Sequence, residues 1–217
     1  MAFESVRKLA DADFPTRWGQ FRILGFEGVV ADHEPCNEQI PAAANRVESA
    51  IALVMGDIVP AKPGAEPPIV RIHSQCLTGD VFHSLRCDFR QQLELALATI
   101  AEAGAGILLY EKQEGRGIGL MAKLQAYELQ DQGMDTIEAN LELGYQADCR
   151  EYELPAAIFK LLGVERVRLI TNNPEKVAAL EAVGISVVER ISAEVAPEPT
   201  FEKYLKTKQD KMGHLVS

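Results

Sequence analysis

The sequence predicts an α/β domain in which at least part of the sheet is parallel. From Ile69 onward, short apolar runs alternate with longer helical stretches, the order that stacks helices on a sheet. A length of 217 residues fits one large domain, or a domain with a small appendage. With 47% hydrophobic and 25% charged residues, 11 Pro and 16 Gly, the composition is that of an ordinary globular chain, which excludes disorder and fibre-forming repeats.

The elements follow in order. Residues 1–15 are polar and charged and are expected to form a loosely ordered extension. In GQFRILGFEG (19–28), Phe21, Ile23 and Gly25 alternate with Arg22 and Leu24, a strand pattern. Residues 31–48 are polar and contain proline, and IALVMGDI (51–58) is a short apolar run, so this region reads as a hairpin or meander. Four prolines in residues 59–68 make a loop there. A strand is expected at IVRIHS (69–74), a loop at CLTGD (76–80), and a helix from Arg90 to Ala103 with one apolar face. A strand at 105–113 runs into EGRGIGL (114–120) and a helix from Ile118 to Gln132; a second helix spans Pro155 to Leu162. The strand ERVRLIT (165–171), a helix after TNNPEK (171–176) and the strand ISVVERI (185–191) complete the alternation. Residues 200–217 read as a charged C-terminal helix, and the whole of 1–217 as one domain.

Twenty-two basic against 32 acidic residues give a net charge of −10, which disfavours a nucleic-acid polymer as partner. A small anion held by a local Arg and Lys cluster remains open. The start has no apolar leader, and no stretch approaches membrane-spanning length, so a soluble cytoplasmic protein with no membrane partner is expected. The four cysteines, Cys36, Cys76, Cys87 and Cys149, read as buried thiols, ligands or reactive groups and not as a disulfide framework.

Two strand-to-helix junctions fit the place where open α/β sheets bind ligands. In EGRGIGL, glycines let backbone N–H groups approach an anion and Arg116 offers a fork; a glycine-rich turn without ligand is the equal alternative. In TNNPEK, an Asn cap and Pro174 start a helix with Lys176 in its first turn, where a cation opposes the helix dipole unless an anion offsets it. Cys76 and Cys87, with ten residues between them and His73 and His83 nearby, offer a zinc site or two buried thiols. Asp148 and Arg150 flank Cys149 and read as a surface ion pair, with Cys149 itself a buried thiol or a candidate nucleophile.

Taken in order, VRIHSQCLTGD, SLRCD, GILLYEKQEGRGIGL, KLQAYELQDQGMDTIEAN, LELGYQADCREY, FKLLGVERVRLITNNPEKV and KMGHL resemble GTP cyclohydrolase II over about 145 residues. The resemblance implies a single three-layer α/β unit, with a mixed sheet and helices on both faces, that works as a homodimer. It implies the first step of riboflavin biosynthesis: GTP is converted to formate, pyrophosphate and a diaminopyrimidinone ribosylamine phosphate, with Zn2+ and Mg2+ required. Nucleotide contacts then fall on Arg71, Ile72, His73, Ser74, Gln75, Gln92, Glu114, Gly115, Arg116, Tyr127, Thr136, Thr171 and Lys176. The nucleophile falls on Arg150, the proton acceptor on Asp148, and zinc ligands on Cys76 and Cys87.

The residue chemistry agrees with these roles. A zinc-bound water suits attack on guanine C8. Three phosphates on an acidic protein need local cations such as Arg71, Arg116 and Lys176, with Mg2+. Arg150 needs a neighbour such as Asp148 to orient or deprotonate it.

The chain departs from the family at two positions. The family's third zinc cysteine is Phe89 here, and Gln75 stands where the family often has Glu. His83, His73, Asp88 or Cys149 are the candidates to replace the missing ligand. Three functional readings are open from the sequence: a working GTP cyclohydrolase II with an altered zinc site, a zinc-impaired homologue that releases only pyrophosphate, or a non-catalytic GTP-binding paralogue. Retention of Asp148, Arg150, Lys176 and the EGRGIG loop argues against the third.

Overall fold

Strands β1 (Phe3–Thr16), β2 (Gly19–Val30) and β3 (Arg46–Met55) form an antiparallel meander at the start of the chain. The computed structural model describes residues 3–30, 36–37, 46–59, 65–196, 204, 209–210 and 213. The expected loose N-terminal extension is therefore corrected: it is a fourteen-residue edge strand. Its backbone is held by β2, while its side chains stay mostly exposed and carry ion pairs such as Arg7 to Glu27 and Arg22 to Asp11. Only Phe3 and Val6 near its start pack against the core, too few to give a hydrophobic alternation along the strand.

Strand β3 pairs antiparallel with β5 (Gly106–Glu111), joining the meander to the parallel half of the sheet. There β5, β4 (Ile69–Ser74), β6 (Arg166–Ile170) and β7 (Ser186–Ile191) run parallel, giving one seven-stranded sheet in the order β1-β2-β3-β5-β4-β6-β7. Parallel neighbours need crossovers, and the helices supply them. Helix α2 (Phe89–Ala103) links β4 to β5, and α6 (Pro174–Ala182) links β6 to β7. Between β5 and β6 lie α3 (Leu120–Asp131), α4 (Thr136–Glu142) and α5 (Glu153–Leu161).

The sheet has a core on each face. On one, Ile72, Ile107 and Leu109 pack with Phe159 of α5 and Leu180 of α6; on the other, Ile69, Leu108 and Ile170 pack with Ala96, Leu97 and Ile100 of α2. This is the expected three-layer arrangement. Because both faces are covered, the alternation in β2 does not sort core from solvent: Phe21 joins the α2 side, while Leu24 and Phe26 join the α5 and α6 side.

Two further elements differ from expectation. CLTGD contains a single helical turn, α1 (Leu77–Asp80), whose first turn is capped by the Cys76 thiol accepting from the Gly79 N–H. Helix α4 is an addition to the expected elements, although Asp135 and Glu138 form a reciprocal capping box that is legible as D-x-x-E. Most of the expected 200–217 helix lies outside the described residues; Tyr204 and residues 209–210 are helical. Among the described residues no helix is long and apolar enough to cross a membrane.

Candidate active site

The carboxyl ends of β4, β5 and β6 open on one side of the sheet, where an α/β fold places its ligand. Arg71, Gln92, Thr171 and Lys176 line one end of the resulting cleft, and Gln75, Arg116, Tyr127 and Thr136 line the other. Ser74, Phe89 and Arg150 line both.

At the first end three cations are buried together. Arg71 donates to the Ile170 carbonyl at 3.0 Å and to Gln92 Oε1 at 2.6 Å, and Lys176 Nζ donates to the Ile72 carbonyl at 2.8 Å. Lys176 reaches the cleft because Asn173 caps α6 by accepting from the Glu175 N–H, with Pro174 setting the first helical turn. Burial pulls Arg71 down to about 10, with Arg150 adding to the effect and Asp88 opposing it. Burial also pulls Lys176 far below its ordinary value, reinforced by Arg71 and Arg150. Crowded, desolvated cations are relieved by an anion, so this end favours one.

Arg116 points the same way. It holds a left-handed backbone conformation (φ 62°), and both Nη atoms are buried with no hydrogen-bond partner among the described residues. A guanidinium kept dry and unpaired is costly unless a ligand completes it.

Asp148 and Arg150 form a closed fork. Arg150 Nε donates to both carboxylate oxygens at 2.9 and 3.1 Å, Nη2 donates to Oδ2, and the Arg150 N–H donates to Oδ1 at 3.0 Å. Burial works against both charges, but the fork holds the Asp148 carboxyl below its ordinary value. Tyr152 and Asp148 together hold Arg150 above its own. The segment docks on the loop after β5. Gln113 accepts from the Glu151 N–H at 2.8 Å and donates to its carbonyl, and the Cys149 N–H donates to the Arg116 carbonyl at 2.9 Å. Gly117 (φ 89°) lies so close that a Cβ there would sit 2.6 Å from the Cys149 carbonyl oxygen.

Cys149, expected as a free thiol, is instead disulfide-bonded to Cys36 across a sequence separation of 113. The chain near Cys36 folds back over residues 143–149: Asn37 donates to the Leu143 carbonyl and Gln146 to the Cys36 carbonyl. Spacing along the sequence carries no trace of such an approach.

Cys76 and Cys87 are free and buried, with sulfurs 3.7 Å apart. Two thiolates sharing one tetrahedral zinc stand about 3.8 Å apart, so the pair itself matches half of such a site. The remainder does not. Phe89 lies edge-on to His73, at 5.8 Å between ring centres. The candidate replacements make other contacts, His73 Nε2 with Asp80, His83 with Arg90, Asp88 with Gln92, and Cys149 in the disulfide, although His73 Nδ1 is buried with no partner among the described residues. Among the described residues no group of three His, Cys, Asp or Glu side chains could hold a metal ion. Lys123 Nζ stands 3.1 Å from Cys76 Sγ and 2.6 Å from Glu114, a cation already beside the thiol. A hydrogen bond with Cys87 and the charge of Lys123 outweigh burial and bring Cys76 down to about 6. The donor set therefore does not fit a zinc held by three protein ligands.

Of the residues singled out from the sequence, Ile72 and His73 have fully buried side chains, and Ile72 meets the site through its carbonyl, which holds Lys176. Glu114 is buried beneath the cleft, accepting from the Leu77 N–H and from Lys123. Tyr127 pairs with Thr78 at 3.1 Å and carries Arg86 over its ring. Sequence reasoning missed Lys123, Gln113 and Tyr204. Lys123 had a signal, a lysine in the first turn of the helix after the glycine loop, the same feature that marked Lys176.

Over residues 7–192 the sequence matches the profile of the family described as GTP cyclohydrolase II. It is 51% identical over 212 residues to a protein named GTP cyclohydrolase-2 from Enterobacter sp. (strain 638), covering 98% of each chain. Proteins of the same name from Cronobacter sakazakii and Escherichia coli (strain K12 / DH10B) are each 50% identical, again over 98% of each chain. A solved two-domain 3,4-dihydroxy-2-butanone 4-phosphate synthase from A. baumannii aligns with 90% of this chain and 41% of that one, at a TM-score of 0.41 and 16% identity. By both its profile and its full-length relatives, the chain belongs to the GTP cyclohydrolase II family.

Proposed function

We propose that this protein acts on GTP as a cytoplasmic, homodimeric GTP cyclohydrolase II, releasing pyrophosphate and formate at the entry to riboflavin biosynthesis. The observation that supports it most is the Asp148 and Arg150 fork standing between a buried cation cluster on one side and the Arg116 and Tyr127 end of the cleft on the other. The cluster of Arg71, Arg150 and Lys176 takes the triphosphate, accompanied by Mg2+. Arg116, whose Nη atoms have no hydrogen-bond partner among the described residues, supplies a further donor to the same anion. Gln75, Tyr127 and Thr136 frame the base end. Asp148 orients the Arg150 guanidinium through paired hydrogen bonds, so that it faces the α-phosphate with its geometry set before substrate arrives.

One observation favours a second reading. With Phe89 in place of a third thiolate and Lys123 against Cys76, pyrophosphate release can proceed while ring opening does not. Incubating purified, metal-replete protein with GTP and Mg2+, and following formate, pyrophosphate and bound zinc in one sample, separates the two. Formate equal to pyrophosphate supports full cyclohydrolase action. Pyrophosphate without formate establishes the second reading, and neither product sinks both.

A further inference from the structure

Cys149 lies between Asp148 and Arg150, and its sulfur is bonded to that of Cys36. We propose that Cys36 and Cys149 form a reversible thiol–disulfide modification site that clamps the Asp148 to Arg150 segment, with a small-molecule disulfide such as glutathione disulfide as its oxidant.

The segment is held on two flanks. On the side of the loop after β5 it is fixed by the Gln113 bonds to Glu151, by the Cys149 N–H on the Arg116 carbonyl at 2.9 Å, and by close packing on Gly117. Toward Cys36 the non-covalent links among the described residues include hydrogen bonds of 3.4 Å from Gln146 to the Cys36 carbonyl and from Asn37 to the Leu143 carbonyl. Bonds of that length sit at the outer limit of the geometry and hold little. The sulfur–sulfur bond adds a covalent tie on this flank, and it closes a loop across 113 positions.

Both cysteines are only half-buried, and Cys149 also lines a cavity beside Arg46, Glu48 and Glu111, which gives a small thiol or disulfide a route to it. Accessible disulfides are the labile and regulatory ones, whereas buried thiols such as Cys76 and Cys87 are shielded. Oxidation is a two-step exchange. One cysteine thiolate attacks the small disulfide, forming a mixed disulfide and expelling one small thiolate. The second cysteine thiolate attacks the protein sulfur and expels the other. Two electrons pass to the small disulfide, and the two thiol protons end on the two small thiols. Excess small thiol reverses both steps.

The test uses the full chain, equilibrated in glutathione buffers from reducing to oxidising and then alkylated. Mass analysis of the Cys36 and Cys149 peptides reads the bond, hydrogen exchange of residues 146–151 reads the clamp, and pyrophosphate release from GTP reads the site. Reversible bond formation is expected, with slower exchange in the oxidised form and release about tenfold faster than in the reduced form. Cys36→Ser is expected to stay at the reduced wild-type level in every buffer. The activity arm rests on the proposed function, but the mass and exchange arms do not, so the clamp is tested even in a protein inactive on GTP. Absence of the bond at every glutathione ratio overturns the proposal. So does a bond that changes neither exchange nor release, or a redox response that persists in Cys36→Ser.

Discussion

The Arg150 guanidinium is engaged side-on by the Asp148 carboxylate two residues away, through Nε at 2.9 and 3.1 Å and through Nη2. Side-chain exposures of 8% and 16% mean that breaking this fork leaves a charge in a poor environment. Asp148→Asn removes the charge but keeps the shape, and Arg150→Lys keeps the charge but loses the fork. Both are expected to slow pyrophosphate release by about 100- to 10,000-fold. For Asp148→Asn, equilibrium GTP binding should change only a few-fold, because Arg71 and Lys176 still meet the phosphates. A variant that binds normally and turns over normally would remove Asp148 from the mechanism.

Phe89→Cys is expected to complete a three-thiolate set beside Cys76 and Cys87. The sulfurs already present are 3.7 Å apart, close to the spacing zinc requires, and Phe89 directly begins α2. Wild-type protein should therefore surrender zinc to a chromogenic chelator that the variant resists, whatever happens to formate release. Equal zinc retention in both proteins would mean that a donor outside the described residues serves the wild type.

Lys123 is expected to set the ionisation of Cys76. That thiol stands at about 6, lowered first by its hydrogen bond with Cys87 and then by Lys123, against the opposing effect of burial. A depressed thiol is ionised above its folded value, so ultraviolet thiolate absorbance of the reduced, metal-free protein should rise as pH climbs through about 6. Lys123→Met removes the cation and should move that rise upward, leaving less thiolate near neutrality. An unchanged titration would assign the shift to Cys87 alone.

What the sequence revealed, and what it hid, follows from the range of the interactions. The Asn173 cap with Pro174 and the glycine turn at 114–119 are local devices, and both were legible with their cationic residues. Strand β1 was not, because its partner β2 supplies backbone bonds while solvent takes its side chains. The Cys36 to Cys149 bond and the Lys123 contact with Cys76 join residues far apart in sequence, and no spacing rule encodes them. The loss at Phe89 was visible as a missing ligand type, yet only the structure shows that, among the described residues, no potential substitute joins the two thiols in a group of three.

Gly117 and Gly119 separate backbone strain from displacement of the Asp148 to Arg150 segment. Both adopt positive φ, 89° and 88°, so alanine at either position is expected to cost about 1–3 kcal/mol in stability. Only at Gly117 does a new Cβ meet the Cys149 backbone, at 2.6 Å from its carbonyl oxygen; at Gly119 nothing lies within 4 Å. The carbonyl and N–H of Cys149 belong to the peptide units that aim Asp148 and Arg150, so the push at Gly117 acts directly on the fork. Gly117→Ala should therefore lose pyrophosphate release by about 100-fold at temperatures where it is still folded. Gly119→Ala carries the strain without the clash, so it should be destabilised less, with release within a few-fold of wild type. Equal losses of activity in the two variants would mean that the strain of the loop, and not the seating of the Cys149 segment on Gly117, controls the site.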